Sequence, residues 1–419
     1  MNKNLFFKEN EFKETIVGKI PKDWDLVSLG NKKLFTIVMG QSPPSSTYNE
    51  KGLGLPFLQG KIEFGDIYPS PTIFCSKPEK TAEAKDILLS VRAPVGDVNL
   101  ATSTNCIGRG ISAIRPNEEE INHFYLFYIL RYSKKRFDSI SSGSTFKAVR
   151  KSELERFIIP MPKKIEQLKI SKILANIDEN IQITKKIIEY IERLKKGLMQ
   201  ELFKKGIGHK EFKETEIGNI PKEWEIVKLG NVLELCQYGL SVKILEVGKY
   251  PIIKMDDIVD GLVVPDKIKY SNLDNDTFIH FKLEKGDVLF NRTNSYELVG
   301  RTGTFLLDGY YVFASYLIRL KPKKGTILSN FLTFYMNFSN NRLRQLATRA
   351  VHQANINATN LKKYKIPLPP LSEQEEICDT ISAVDKKLNS ERKEKIKLER
   401  IKKELMNLLL TGKVRIRVN

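Results

Sequence analysis

The chain has 419 residues, 41% hydrophobic and 28% charged, with 69 Lys and Arg against 50 Asp and Glu for a formal net charge of +19. That length suits about two to four domains, each able to bury a core. No apolar run reaches the roughly 18 residues of a membrane span, and the first residues lack the apolar centre and cleavage site of a secretory signal, so the cytoplasm is the expected location. Four scattered cysteines (Cys75, Cys106, Cys236, Cys378) with no Cys-x-x-Cys pairing predict neither a zinc site nor a disulfide framework. The positive excess favours a polyanionic partner through phosphate contacts and counterion release.

Residues 12–30 read FKETIVGKIPKDWDLVSLG and residues 212–230 read FKETEIGNIPKEWEIVKLG, identical at twelve of nineteen positions, with the two tryptophans of the chain, Trp24 and Trp224, in register. A period of 200 residues is far beyond a solenoid unit of about 20–50. One domain-sized unit is used twice, and the tryptophans are expected to anchor each domain start.

Residues 21–157, rich in Gly, Pro and aromatics, predict a mixed α/β domain. A buried strand is expected over Asp86-Ile-Leu-Leu-Ser-Val-Arg92 and a helical patch near 124–132. The next segment, from Ile158, opens with Pro160-x-Pro162 and then runs into a long helix, because each proline disfavours helix for the residue before it. Apolar residues recur at 170, 174, 177, 181, 184, 188, 191, 195, 198 and 202 in steps of four and three, broken only by Thr184 and Lys195, which argues for a coiled-coil seam.

The second copy repeats this order. Asp287-Val-Leu-Phe-Asn-Arg292 corresponds to the Asp86 strand, and residues 331–337 correspond to 124–130. Pro367-x-Pro369 precedes a second heptad helix from 377 to 409, interrupted by Glu391, Lys395 and Lys402 and therefore expected to be looser in its middle. Ser372 and Glu375 have capping-box spacing, and the charged run 391–404 reads as a solvated face. Glu166-Gln167 meets Glu373-Gln374, and Asp178 meets Asp385. Leu5-Phe6, ahead of Phe12, resembles Leu202-Phe203 ahead of Phe212, so the chain starts where a repeat ends. The loops differ: GQSPPSSTYNEKG, from Gly40, has no visible counterpart in the second copy.

The expected architecture is thus mixed α/β (α+β), with two globular domains separated by two long helices forming an antiparallel coiled coil, in a pseudo-two-fold, cyclic duplication. Its segments are a tail at 1–20, domains at 21–157 and 209–364, and helices at 158–208 and 365–414. Each helix of about 40 residues would span roughly 60 Å at 1.5 Å per residue.

No phosphate loop, paired metal-binding histidines or Gly-x-Ser-x-Gly elbow is present, and His123, His209, His280 and His352 stand alone. What the chain does offer is groups that read base edges and hold phosphates. In the first domain these are Gln41, Ser42, Ser45, Ser46, Tyr48, Asn49, Arg92, Asn99, Arg109, Ser144, Thr145 and Lys147. In the second they are Lys254, Arg292, Asn294, Arg301, Arg349, His352, Gln353 and Asn355. A bland reading competes at each position: Gly40 with Pro43-Pro44 also makes a turn, and Arg92 and Arg292 also suit ion pairs.

The doubled Ile-Pro-Lys-x-Trp (20–24 and 220–224), the doubled Pro-x-Pro with Glu-Gln, and the paired heptad helices resemble the specificity subunit of Type I restriction–modification systems over essentially the whole chain. So do Arg92-Ala-Pro-Val-Gly-Asp97, Ile107-Gly-Arg-Gly110 and Gly286-Asp-Val-Leu-Phe-Asn-Arg-Thr-Asn294. The resemblance implies two target recognition domains, each reading one half of a bipartite, asymmetric site in double-stranded DNA. It also implies helices that space the readers and dock two modification subunits and, through them, restriction subunits. No cofactor or metal is then expected in this chain: S-adenosylmethionine, ATP and Mg²⁺ belong to the partners. A stand-alone methyltransferase or nuclease and a coiled-coil scaffold are the competing readings.

Overall fold

The computed structural model describes residues 6–141, 148–349 and 353–417, with only the backbone at Arg349. Two compact units form, Met1–Lys186 with Arg392–Asn419, and Ile187–Glu391. Each therefore contains one globular domain and part of each long helix, Lys164–Lys205 (42 residues) and Leu371–Leu409 (39 residues).

In the first unit the strand Ile87–Ser90 lies between Val98–Leu100 and Ile111–Pro116, with Phe35–Met39 beyond, all antiparallel. In the second, Val288–Asn291 lies between Thr302–Thr304 and Leu317–Pro322, with Leu233–Tyr238 beyond. All four residues of each central strand are buried, as a continuous apolar run predicts. The acid ahead of each strand organises the turn that leads in. The Asp86 carboxylate accepts from Glu83 N at 2.8 Å and from the Arg115 guanidinium at 2.8 and 2.9 Å. Asp287 accepts from Glu284 N at 2.7 Å and pairs with Arg319, 2.7 Å away, while burial pushes its carboxyl above the usual range.

The short helices are His123–Tyr132 and Ser329–Phe338, and the repeated Glu-Gln explains their placement. Gln167 accepts from Asn122 N at 2.9 Å and donates to Pro162 O; Gln374 accepts from Leu328 N at 2.9 Å and donates to Pro369 O. Asn122 thus matches Leu328, an offset of 206 residues. Residues 124–130 therefore align with 330–336, one position away from the register that their aromatics suggest. The preceding glutamates hold the tryptophans: Trp24 Nε1 donates to Glu166 at 3.2 Å and Trp224 Nε1 to Glu373 at 2.8 Å, both rings fully buried. Ser372 lies inside the first turn of its helix, behind Leu371, so no capping box forms there.

All twenty heptad positions of the two helices are buried or half-buried. In each unit the helix segments run antiparallel: Asp178 pairs with Lys402 in the first and Asp385 with Lys195, at 2.5 Å, in the second. Lys195 and Lys402, which interrupt the apolar pattern, are the polar layer of the seam. Lys402, only 8% exposed, is not part of a solvated face.

The cyclic duplication closes through the C-terminal segment. Phe6–Lys8 pairs antiparallel with Val414–Ile416, and between them Arg415 reaches Glu166 at 2.6 and 2.8 Å, Asp23 at 2.9 Å and Glu9 at 2.7 Å. In the second unit His209 contacts Glu373 at 3.0 Å, so Arg415 stands where His209 does. Leu202-Phe203 is matched by Leu409-Leu410, all four buried. Phe6 is a half-open strand residue and not the counterpart of Phe203, and Leu5 lies outside the described residues. Gly206 and Gly412, at φ +64° and +69°, end the helices where a Cβ would press on Trp224 and on Pro21.

Candidate nucleic-acid interface

In the first unit three backbone segments meet beyond the central strand. Gly40 N donates to Ile111 O at 2.9 Å, Gln41 N to Ile107 O at 3.0 Å, and Val91 N to Gly110 O at 2.9 Å. The approach is so close that a Cβ on Gly40 would overlap the Gly108 carbonyl oxygen. This junction gathers Gln41, Ser42, Arg92 and Arg109. Ser42 Oγ accepts from Arg109 N at 3.2 Å, and the side chains of Gln41, Arg92 and Arg109 are exposed. Arg92 bridges to Ala148, which flanks residues 142–147; Ser144, Thr145 and Lys147 lie outside the described residues.

Three candidates belong to the scaffold instead. Asn99 is 1% exposed and spends its amide on Gly65, accepting from its N–H at 3.1 Å and donating to its carbonyl at 2.9 Å. Tyr48 donates to Pro43 O at 2.8 Å and stacks on Phe57, and Asn49 fastens the turn through Lys51 N and Leu53 N. Ser45 and Ser46 are exposed on the 3-10 turn Ser45–Thr47.

The second unit builds the same junction from a different sequence. Gly239 N donates to Leu317 O at 3.0 Å and Leu240 N to Phe313 O at 2.9 Å, and a Cβ on Gly239 would overlap the Ala314 carbonyl oxygen. Gly239 is thus the counterpart of Gly40 that sequence comparison missed; the only signal is a lone glycine after an aromatic, Tyr238. Val149 N reaches Val91 O and Ile356 N reaches Arg292 O, both at 2.9 Å, so the segment ahead of each long helix returns to the same place.

A three-stranded sheet there joins Thr293–Asn294, Ala354–Asn355 and Thr348–Arg349. It brings Arg292, Asn294, Gln353 and Asn355 together. Lys254 adjoins them, because Asn294 Nδ2 contacts the Sδ of the next residue, Met255, at 3.5 Å. Arg292 lies over the Tyr238 ring and donates to Ser315 O at 3.3 Å. The Arg292 Nε and Asn355 Oδ1 are buried without a hydrogen-bond partner among the described residues. Arg301 is exposed, while His352 and the Arg349 side chain lie outside the described residues. Tyr316, 45% exposed and accepting from Arg292 N at 3.0 Å, joins the junction although no sequence pattern singled it out. Among the described residues no three His, Cys, Asp or Glu side chains gather as metal ligands, and no helix is long and apolar enough to cross a membrane.

Removing the Arg109 side chain is expected to weaken duplex binding by about 1–3 kcal/mol while leaving the thermal midpoint unchanged. Asn99→Ala should instead lower the midpoint by several degrees through its lost buried hydrogen bonds. Electrophoretic titration beside a melting curve separates the two; equal melting losses would place Arg109 in the scaffold.

A doubled scaffold with polar, basic residues of different identity at one shared junction defines a DNA sequence-reading protein. The chain matches the family described as the Type I restriction modification DNA specificity domain over residues 21–193 and 221–400, and it belongs to that family. Among its relatives is the MjaVIII specificity subunit of Methanocaldococcus jannaschii, 29% identical over 422 residues and 98% of both chains. The putative MjaX specificity subunit of the same organism is 50% identical over 206 residues, about half of each chain (48%). The crystal structure of an S subunit from M. genitalium superposes with a TM-score of 0.61 at 18% identity, covering 96% of this chain and 99% of that one, a likeness of fold.

Proposed function

We propose that each unit reads one half of a bipartite, asymmetric DNA sequence, and that the chain carries no catalysis of its own. The observation behind this reading is the repeated junction: the backbone hydrogen bonds match, while Gln41, Ser42, Arg92 and Arg109 gather at the first and Arg292, Asn294, Gln353 and Asn355 at the second. One scaffold with two sets of base-reading groups implies two unlike half-sites.

Modification subunits bearing S-adenosylmethionine, two per chain, would dock on the helices, with ATP- and Mg²⁺-dependent restriction subunits joining through them in the cytoplasm. An outward stripe on the first long helix within the second unit suits such docking: Ile187, Tyr190 and Leu194 are 37, 62 and 48% exposed at steps of three and four.

Mapping methylated adenine in the source organism, with this gene present and deleted, is expected to reveal one bipartite motif that disappears on deletion. Inserting two heptads in the first long helix, about 21 Å of added rise, should change the unread spacer or abolish binding while leaving both half-sites intact. An unchanged spacer would remove the helices from the measurement of distance, and methylation by the purified chain alone would favour the stand-alone enzyme.

A further inference from the structure

In the first unit a cleft of about 980 Å³ opens between the helix His123–Tyr132, the hairpin around Val17, and the facing segments of the long helices. Its floor is apolar, with Ile20, Ile129, Ile181, Met406 and Leu410, and its walls carry eight Lys or Arg side chains against four carboxylates. Three of those carboxylates are already engaged, Glu399 by Lys395 at 3.8 Å. Asp178 takes Lys402 and, at 2.8 Å, the Tyr128 hydroxyl; Asp66 takes Lys185 and, at 3.0 Å, Gln182. Lys135 and Lys403 make no ion pair among the described residues. Lys402 is buried, and its ammonium has three donors, of which Asp178 uses one.

The second unit shows that the fold does not require this hollow. Every residue lining the equivalent pocket, of about 210 Å³, has its counterpart in the wall of the larger cleft. Leu410, Ile129 and Tyr132 are replaced by Phe203, Tyr335 and Phe338, whose rings pack at centroid distances of 5.4 Å (Phe203–Tyr335) and 5.1 Å (Phe203–Phe338). Charge changes too: Lys19 and Lys135 become Asn219 and Asn341, while Thr411 becomes Lys204. The hollow copy carries the larger basic set, eight Lys or Arg side chains where the filled copy has Lys204 and Arg342.

We propose that the cleft of the first unit binds an organic anion of roughly nucleotide size, with an apolar body and at least one phosphate or carboxylate group. The volume is at the upper end of the range of about 300–1,000 Å³ typical of small-molecule sites, which pair an apolar lining with a few charged groups. The body would lie against Ile129, Met406 and Leu410, and the anion would meet Lys135, Lys403 and the spare donors of Lys402.

Fluorescence titration of the full chain with 8-anilinonaphthalene-1-sulfonate, an apolar body bearing one anionic group, tests this. A saturable site is expected, displaced by adenosine 5′-monophosphate and not by uncharged adenosine. Ile129→Tyr with Leu410→Phe, which installs the second unit's own residues, should weaken the probe at least tenfold with DNA affinity unchanged. Lys135→Asn, also the second unit's residue, should weaken it severalfold and keeps the test open if the plugged chain does not fold. Probe affinity that survives Lys135→Asn or the plug, or displacement by adenosine equal to that by the monophosphate, would overturn the assignment.

Discussion

Arg415→Met is expected to destabilise the first unit by about 3–5 kcal/mol, the usual cost of removing one partner from a buried ion cluster. Its side chain is 10% exposed and Glu166 2%; without the guanidinium, Glu166 keeps only Trp24 Nε1, and Glu9 and Asp23 lose the charge between them. The second unit has its own closure through His209 and Glu373, so its unfolding should not move. Urea denaturation followed by hydrogen exchange resolves the two units. Glu166→Gln added to Arg415→Met should recover part of the loss, since the pair is coupled. A loss below about 1 kcal/mol would mean that the C-terminal strand is held by its backbone pairing alone.

Gly40→Ala is expected to lower DNA affinity at least tenfold, about 1.4 kcal/mol, with the effect confined to one half of the recognised sequence. The new methyl would overlap the Gly108 carbonyl oxygen and press on those of Ile107 and Ile111, and backbone cannot yield as a flexible side chain would. The strand pair must separate, displacing Gln41 and Ser42 on one side and Arg109 on the other. Gly239→Ala should do the same to the other half-site. Binding measured on duplexes with each half scrambled in turn distinguishes the two. Unaltered affinity in both variants would show that the junction does not face DNA.

The parts legible in the sequence were those whose physics is local or repeated. The heptad steps predicted a seam that is buried or half-buried at every position, and the apolar runs at Ile87–Ser90 and Val288–Asn291 predicted the central strands. What stayed hidden depends on partners distant in the chain. Lys402 reads as a solvated charge until Asp178, 224 residues away, comes beside it. Asn99 has the side chain of a base reader, yet its hydrogen bonds belong to a glycine 34 residues back. Gly239 carries no motif because only backbone distances define its role, and Arg415 cannot be matched with His209 by residue type, since the two share a position and not a side chain.

The closure through Arg415 also imposes an order of events on synthesis. The second unit is one continuous stretch, Ile187–Glu391, and is complete while the chain is still being made. The first unit must wait through all of it for Arg392 onward, a delay of about 10–40 s at 5–20 residues per second. Through that interval the heptad face around Ile170 and Leu174 lacks the second long helix, and Glu166, held by Trp24, lacks the guanidinium of Arg415. The domain begun first is therefore the one finished last, and it is the one whose nascent form most needs shielding from aggregation.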